Sequence, residues 1–335
     1  MPSSKPPRAM ILAAGFGTRL GALTKVRPKP MLPICGAPLV RWAVLWLRHH
    51  GVREIVINLH HLGEQIPAEL GDGSALGVEL AYSHEEGLIL GTGGGLRKAR
   101  SLLDDGEDRP IVVVNGKILT DIDLGAVLET HRASGREATM VLRNDGEGVW
   151  GGSLAADADG SLATFLGHTR ANAQPGAPMM FTGVHVMQPR FLDRVPAQGE
   201  QCIVRTAYKQ LFFEHEAGQG AGVGVHEHAG YWWEHSTVER YLAGIQKVLR
   251  GEVELPWAEL PVRGVDPSAT IGAGAEIDET AFVGPNARVG AGAKIGAFSQ
   301  IGAGAVVEAG VTVEGAVVWP GATATTDLRA EVCTG

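Results

Sequence analysis

The sequence predicts an α/β chain: a Rossmann-like, mostly parallel sheet with helices on both faces, followed by a small parallel β-helix. Three observations predict it. Strand-like and helix-like runs alternate through the first 245 of 335 residues, a six-residue repeat fills the C-terminal part, and a glycine- and cation-rich loop follows the first strand-like run.

The strand-like runs are AMILAA, REIVINL, VELAY, PIVVVN and ATMVLR. Between them lie PLVRWAVLWLRHHG, GEQIPAEL, GGGLRKARSLL and DLGAVLETHRASG, with helical spacing of apolar residues. Such alternation builds a parallel sheet covered by helices, and ligands bind beyond the carboxyl ends of its strands. Asp157 and Asp159 in AADADGS match only a fragment of a calcium loop and read as a hairpin turn. His60 and His61 read as packed at a helix start. His226, His228 and His235 lack the spacing of a zinc site.

In the repeat, Val265, Ile271, Ile277, Val283, Val289, Ile295, Ile301, Val307, Val313 and Trp319 recur every six positions. Small residues follow four places after most of them. The period is that of a hexapeptide solenoid, in which the aliphatic residues stack inward. Three hexads make one coil of a left-handed parallel β-helix, which predicts slightly more than three coils, with Trp319 as a cap on the open end. Hexapeptide solenoids also serve acyltransferases, which use a histidine base; residues 265–335 contain none, so an assembly or docking module is the favoured reading. The expected division is 8–245 for the sheet domain, 246–264 for a linker with Pro256 and Pro261, 265–324 for the solenoid and 325–335 for a tail.

The net charge of −8 argues against nucleic-acid partners. Cys35, Cys202 and Cys333 are far apart and suit a reducing cytoplasm. The start, MPSSKPPR, lacks a leader's apolar run, and no segment predicts a membrane span.

The first strand runs into GFGTRLGALTKVRPKPMLP. Gly15 and Gly17 let the backbone bend and present N–H groups to an anion. Arg19 offers a planar fork of donors, and Lys29, between two prolines, a stiffly presented charge. Together they suit a triphosphate. The loop is neither a Walker loop nor a dinucleotide fingerprint.

LAAGFGTRL followed by RPKPMLP resembles the signature of the sugar-1-phosphate nucleotidyltransferases, which join a nucleoside triphosphate to a sugar 1-phosphate and release pyrophosphate. The likeness continues through LGTGGGLRKA, VVVNGKILTDIDL, FTGVHVMQP and WWEHSTVERY, over nearly all of residues 8–245. Guanylyltransferases for mannose 1-phosphate and uridylyltransferases for amino sugars look most similar. The resemblance implies that Leu12, Ala14 and Gly15 line the base and ribose. It implies that Gly17, Thr18 and Arg19 hold the β and γ phosphates and that Lys29 neutralises the α-phosphate. Thr92, Gly93 and Gly94 correspond to a glycine-rich turn near the base, with Asn115 also on the nucleotide. Glu85 or Glu86 could accept from guanine, or be a solvated loop carboxylate. Trp150 and Gly151, then Thr182 and Gly183, correspond to sugar-phosphate contacts.

Three departures fall on the chemistry. The family's magnesium aspartates correspond to Lys117 and Glu234, and its sugar-contacting Glu-Lys pair to Gly167 and His168. Magnesium needs hard oxygen ligands, and an ammonium repels it. Three explanations stay open. Lys117 is an internal cation in place of the metal; Asp121 or Asp123 recruits a displaced metal, although both read more simply as helix caps; or the chain binds nucleotide or nucleotide sugar without turnover. The solenoid leaves homo-oligomer or partner docking open.

Overall fold

The computed structural model describes residues 5–145, 150–259 and 261–335. The first four residues of MPSSKPPR, positions 146–149, and position 260 of the expected linker lie outside the described residues. No helix among the described residues is long and apolar enough to cross a membrane.

The chain forms two compact units that interleave in sequence. One comprises Met1–Phe16, Ala43–Gly116 and Ile122–Trp232; the other comprises Gly17–Trp42, Lys117–Asp121 and Trp233–Gly335. The glycine-rich loop beyond Gly17 and Lys117 therefore group with the C-terminal coils.

The first unit is built on a seven-stranded sheet. Its strands run in the order Val223–Glu227, Ala138–Arg143, Met180–Met187, Ile111–Asn115, Arg8–Leu12, Glu54–Leu59 and Glu79–His84. All pairings are parallel except those of Met180–Met187 with its two neighbours. The central strands are buried along nearly their whole length, as a sheet covered by helices requires. Every strand-like run of the sequence is a strand here. The DG turn is a hairpin: Gly160, at φ 75°, returns its N–H to Asp157 O between Ala155–Ala156 and Leu162–Phe165. Asp123 caps helix Leu124–Ser134 by accepting from Ala126 N at 3.1 Å; Asp121 is not that cap.

The second unit holds helix Val238–Arg250, capped by Thr237 and ended by Gly251 at φ 76°. The helix buries Tyr241, Leu242, Ile245, Val248 and Leu249, spaced to share one face. The solenoid follows. Thirteen short strands among the described residues stack in three parallel sheets, from Gly264–Val265 to Val332–Cys333. The inward columns are Val265, Val283, Ile301, Val318 and Cys333; Ile271, Val289, Val307 and Ala324; and Ile277, Ile295, Val313 and Leu328.

Two expectations are corrected here. The coils continue past 324, through strands Leu328–Arg329 and Val332–Cys333, so the expected tail is part of the stack. Trp319 is neither an inward residue nor an end cap. Ile301 pairs with Val318, because one residue fewer separates successive coils at the tight turn of Gly315 (φ 54°). That slip turns Trp319 out of the column, as any one-residue shift in a strand must.

Candidate functional site

The loop after the first strand owes its shape to Gly17. At φ 69° it starts a single turn, Thr18–Leu20, closed by Leu20 N donating to Gly17 O. A Cβ on Gly17 would lie 2.9 Å from Thr24 Cγ2 and 3.1 Å from Lys29 Cε, so the position needs glycine for space as well as dihedral angle. Lys29 opens the short turn Lys29–Met31, with Pro28 before it and Pro30 within it.

Four charged side chains meet in this unit. Lys117 Nζ lies 2.6 Å from Glu234 Oε2, and Arg19 approaches Glu234 Oε1 at 3.5 Å. Lys29 completes the group. Burial first, then the neighbouring Lys117 charge, lower its ammonium to about 8, with Glu234 opposing the shift and Arg19 adding to it. Burial pushes the Glu234 carboxyl up, but the Lys117 ammonium, the Ser236 hydroxyl and Arg19 together hold the acid below its usual range. Three cations thus surround one carboxylate, an excess of positive charge in a partly buried setting. Arg19 is more exposed than Glu234 or Lys117.

The Lys117 and Glu234 positions do not fit magnesium. Glu234, the one acid of the pair, is spent on an ammonium, and an ammonium is not a ligand. Asp121 joins no group of three metal-ligating side chains among the described residues. His235, next to Glu234, is fully buried, and burial lowers its imidazole to about 4. It is wedged so closely that a Cβ on Gly244 would lie 2.2 Å from its Nε2. It is a neutral packing residue.

In the first unit, Leu12 ends the first strand and Ala14 is buried, while Gly15 has open space around its Cα. Asn58 accepts from Ala13 N at 2.7 Å and donates to Glu85 Oε1 at 2.7 Å; Glu85 Oε2 accepts from Leu90 N. Glu85 is therefore a structural clamp with both oxygens engaged. Glu86 is exposed. Thr92 accepts from Ile203 N, and Gly93 N donates to Gln201 O. The glycine-rich segment is thus the first turn of helix Gly91–Lys98, packed on the backbone of 201–203.

Among the expected sugar contacts, Gly183 lies against Asn115: a Cβ there would be 2.1 Å from its Nδ2. Gly151, at φ 71°, and Trp150 both donate their N–H to Asp145 Oδ2, an anchor not expected from sequence. Two other expected contacts have protein partners of their own. Thr182 is buried, its hydroxyl donating to Val141 O and accepting from Val184 N. His168 pairs with Glu216 at 2.9 Å and packs on Phe213, so its ring nitrogen is engaged.

Known proteins resemble parts of this chain. Residues 8–166 match the family model described as nucleotidyl transferase, and residues 280–315 match that of the bacterial transferase hexapeptide with six repeats. The N-acetylmuramate alpha-1-phosphate uridylyltransferase of Neisseria meningitidis is 35% identical over 236 residues, covering 70% of this chain and 94% of the relative. A mannose-1-phosphate guanylyltransferase of Mycobacterium tuberculosis is 29% identical, covering 83% of this chain and 76% of the relative. A solved structure described as a glucose-1-phosphate thymidylyltransferase of Bacillus anthracis superposes with a TM-score of 0.53 at 22% identity, over 69% of this chain and 90% of that one. It speaks for the fold.

Proposed function

The chain belongs to the nucleotidyl transferase family, and from that premise we propose that it joins a nucleoside triphosphate to a sugar 1-phosphate, giving a nucleotide sugar and pyrophosphate. A sugar-phosphate oxygen attacks the α-phosphorus. The bond from that phosphorus to the bridging oxygen breaks, and pyrophosphate leaves with the electron pair. Such transfer depends on positioning and on preorganised positive charge. The observation that carries the reading is the excess of cations around Glu234.

In this reading Gly17, Thr18 and Arg19 hold the β and γ phosphates, and Lys29 meets the charge developing at the α-phosphate. Leu12, Ala14 and Gly15 face the base and ribose, with Glu86, the Thr92–Gly94 turn and Asn115 completing the nucleotide set. Gly151 and Gly183 remain the sugar-phosphate candidates; Thr182 and His168 are set aside because their polar atoms are engaged. The family normally uses magnesium. Here the Lys117 ammonium is assigned its electrostatic role, with one unit of charge where magnesium has two. Residues 8–245 carry the chemistry, in a cytoplasmic protein.

Turnover is tested with UTP and GTP, the nucleotides implied by the relatives' names, against N-acetylmuramate, mannose and glucose 1-phosphates. Pyrophosphate release is followed with magnesium and with EDTA. Release that persists in EDTA is expected, becoming magnesium-dependent in the double variant Lys117→Asp, Glu234→Asp. The engagement of Glu234 by Lys117 favours a second reading, nucleotide binding without turnover. Calorimetric binding with no release from any pair would establish that reading and discard the first. Absence of binding to any triphosphate would remove both.

A further inference from the structure

Lys29 sits between two anchors, and both end on the solenoid. Before it, the Arg27 guanidinium lies 5.2 Å from the centre of the Trp319 ring. After it, the chain forms a tight hairpin, Pro33–Ile34 paired with Ala37–Pro38, whose corner residues Cys35 (φ 41°) and Gly36 (φ 91°) are both left-handed. A non-glycine residue held at positive φ needs outside support.

That support comes from far along the chain. Gln300 Oε1 accepts from Cys35 N at 2.7 Å, and Gln300 Nε2 donates to Pro33 O at 3.2 Å. Tyr241 OH donates to the same Pro33 oxygen at 2.7 Å, and Trp319 Nε1 donates to the Tyr241 hydroxyl at 3.1 Å. The Phe282 ring covers Gly36, where a Cβ would come within 3.2 Å of it. Gln300, Tyr241, Trp319 and Cys35 are all at least 98% buried. Leu32 N in turn donates to Lys29 O, which links the hairpin stem to the lysine.

Gln300 and Phe282 are register partners on adjacent coils, in the outward position that carries Arg288 or Lys294 elsewhere. An outward-facing Gln that is fully buried and uses both ends of its amide on one hairpin is a fitted contact. Removing it would strand the Cys35 N–H and weaken the hold on a strained corner.

We propose that Gln300 and Trp319, two residues of the solenoid, are positioning residues for the phosphate loop. They fix Arg27 on one side and Pro33–Cys35 on the other, so that Lys29 is presented in one place. The solenoid thereby takes part in triphosphate binding without touching the ligand. This rests on the reading that the loop binds phosphate.

The test compares three variants of the full chain. Gln300→Met keeps size and removes both hydrogen bonds. Trp319→Phe keeps a ring for Arg27 and removes the donor to Tyr241. Val307→Ala, in an inward column, loosens the solenoid without touching the hairpin. Binding of inorganic tripolyphosphate is measured by calorimetry, and hydrogen exchange is followed for a peptide spanning residues 27–36. Gln300→Met is expected to weaken binding roughly tenfold and speed exchange in 27–36, with Trp319→Phe smaller in both. Val307→Ala is expected to lower the melting temperature but leave both readouts at parental values. Unchanged affinity and exchange in Gln300→Met would overturn the proposal, as would equal effects in Val307→Ala. If the parent binds no tripolyphosphate, the phosphate reading fails separately, and exchange in 27–36 alone decides for or against the brace.

Discussion

Two ionic clusters in this protein use the same residue types to opposite ends. In the first unit, Arg8 and Arg109 interlock with Glu54 and Asp105 near the amino ends of their strands. Arg109 reaches both acids and Pro6 O, while Arg8 holds Glu54 at 2.7 Å. Two cations meet two acids, and nothing is left over. In the second unit, Arg19 and Lys117 both pair with Glu234, and Lys29 lies within the field of all three. The balanced cluster can only hold structure together. The unbalanced one carries an unmet demand for negative charge. The stoichiometry of charge, more than the presence of ion pairs, separates a clasp from a receptor.

Substitutions can break this contrast, from large effects to small. Lys29→Ala is expected to lower kcat/KM roughly 10²–10³-fold, about 3–4 kcal/mol of transition-state stabilisation, with an unchanged melting temperature. Steady-state kinetics on a responsive substrate pair checks it; full activity would remove Lys29 from the chemistry. Arg109→Met should do the reverse. It costs about 2–3 kcal/mol of stability, because a nearly buried cation leaves two acids behind, partly exposed. Urea unfolding reads the loss, and tripolyphosphate affinity should not move.

Glu234→Gln sharpens the comparison further. At pH 6, with Lys29 charged, tripolyphosphate should bind about three- to tenfold more tightly, on the order of 1 kcal/mol. Affinity in the parent should fall as the pH rises through about 8, where the Lys29 ammonium loses its proton. Glu234 raises that value, so the fall should come at lower pH in the variant. Calorimetry from pH 6 to 9 reads both, and an unmoved pH dependence would contradict the assignment. Finally, Lys294→Ala breaks an exposed pair with Glu276 and should change stability by no more than about 0.5 kcal/mol in a thermal melt.

Features with local causes were legible in the sequence. The strands of the sheet, the Asp159–Gly160 turn and the inward hexads from Val265 to Val313 follow from periodicity and turn chemistry. The balance of the cation cluster was not legible. Lys117 and Glu234 were each noticed as departures, but nothing in a linear reading announces that they neutralise one another. Glu85 looked available because its partner Asn58 sits on a different strand. Trp319 was misassigned because the period shortens by one residue at Gly315, and a fixed six-residue template cannot follow a deletion. Gln300 did leave a trace. Phe282, one coil earlier, is a large apolar residue in an outward slot, and such a residue marks a covered face.

The link from Pro33 to Gln300 spans 267 residues. A ribosome adding about 5–20 residues per second needs roughly 15–50 s to make that much chain. Throughout that interval the loop that ends at Lys29 has been synthesised without the side chains that hold it. The binding element is made well before the segment that completes it, so a product truncated between the two would carry the phosphate signature and lack its support.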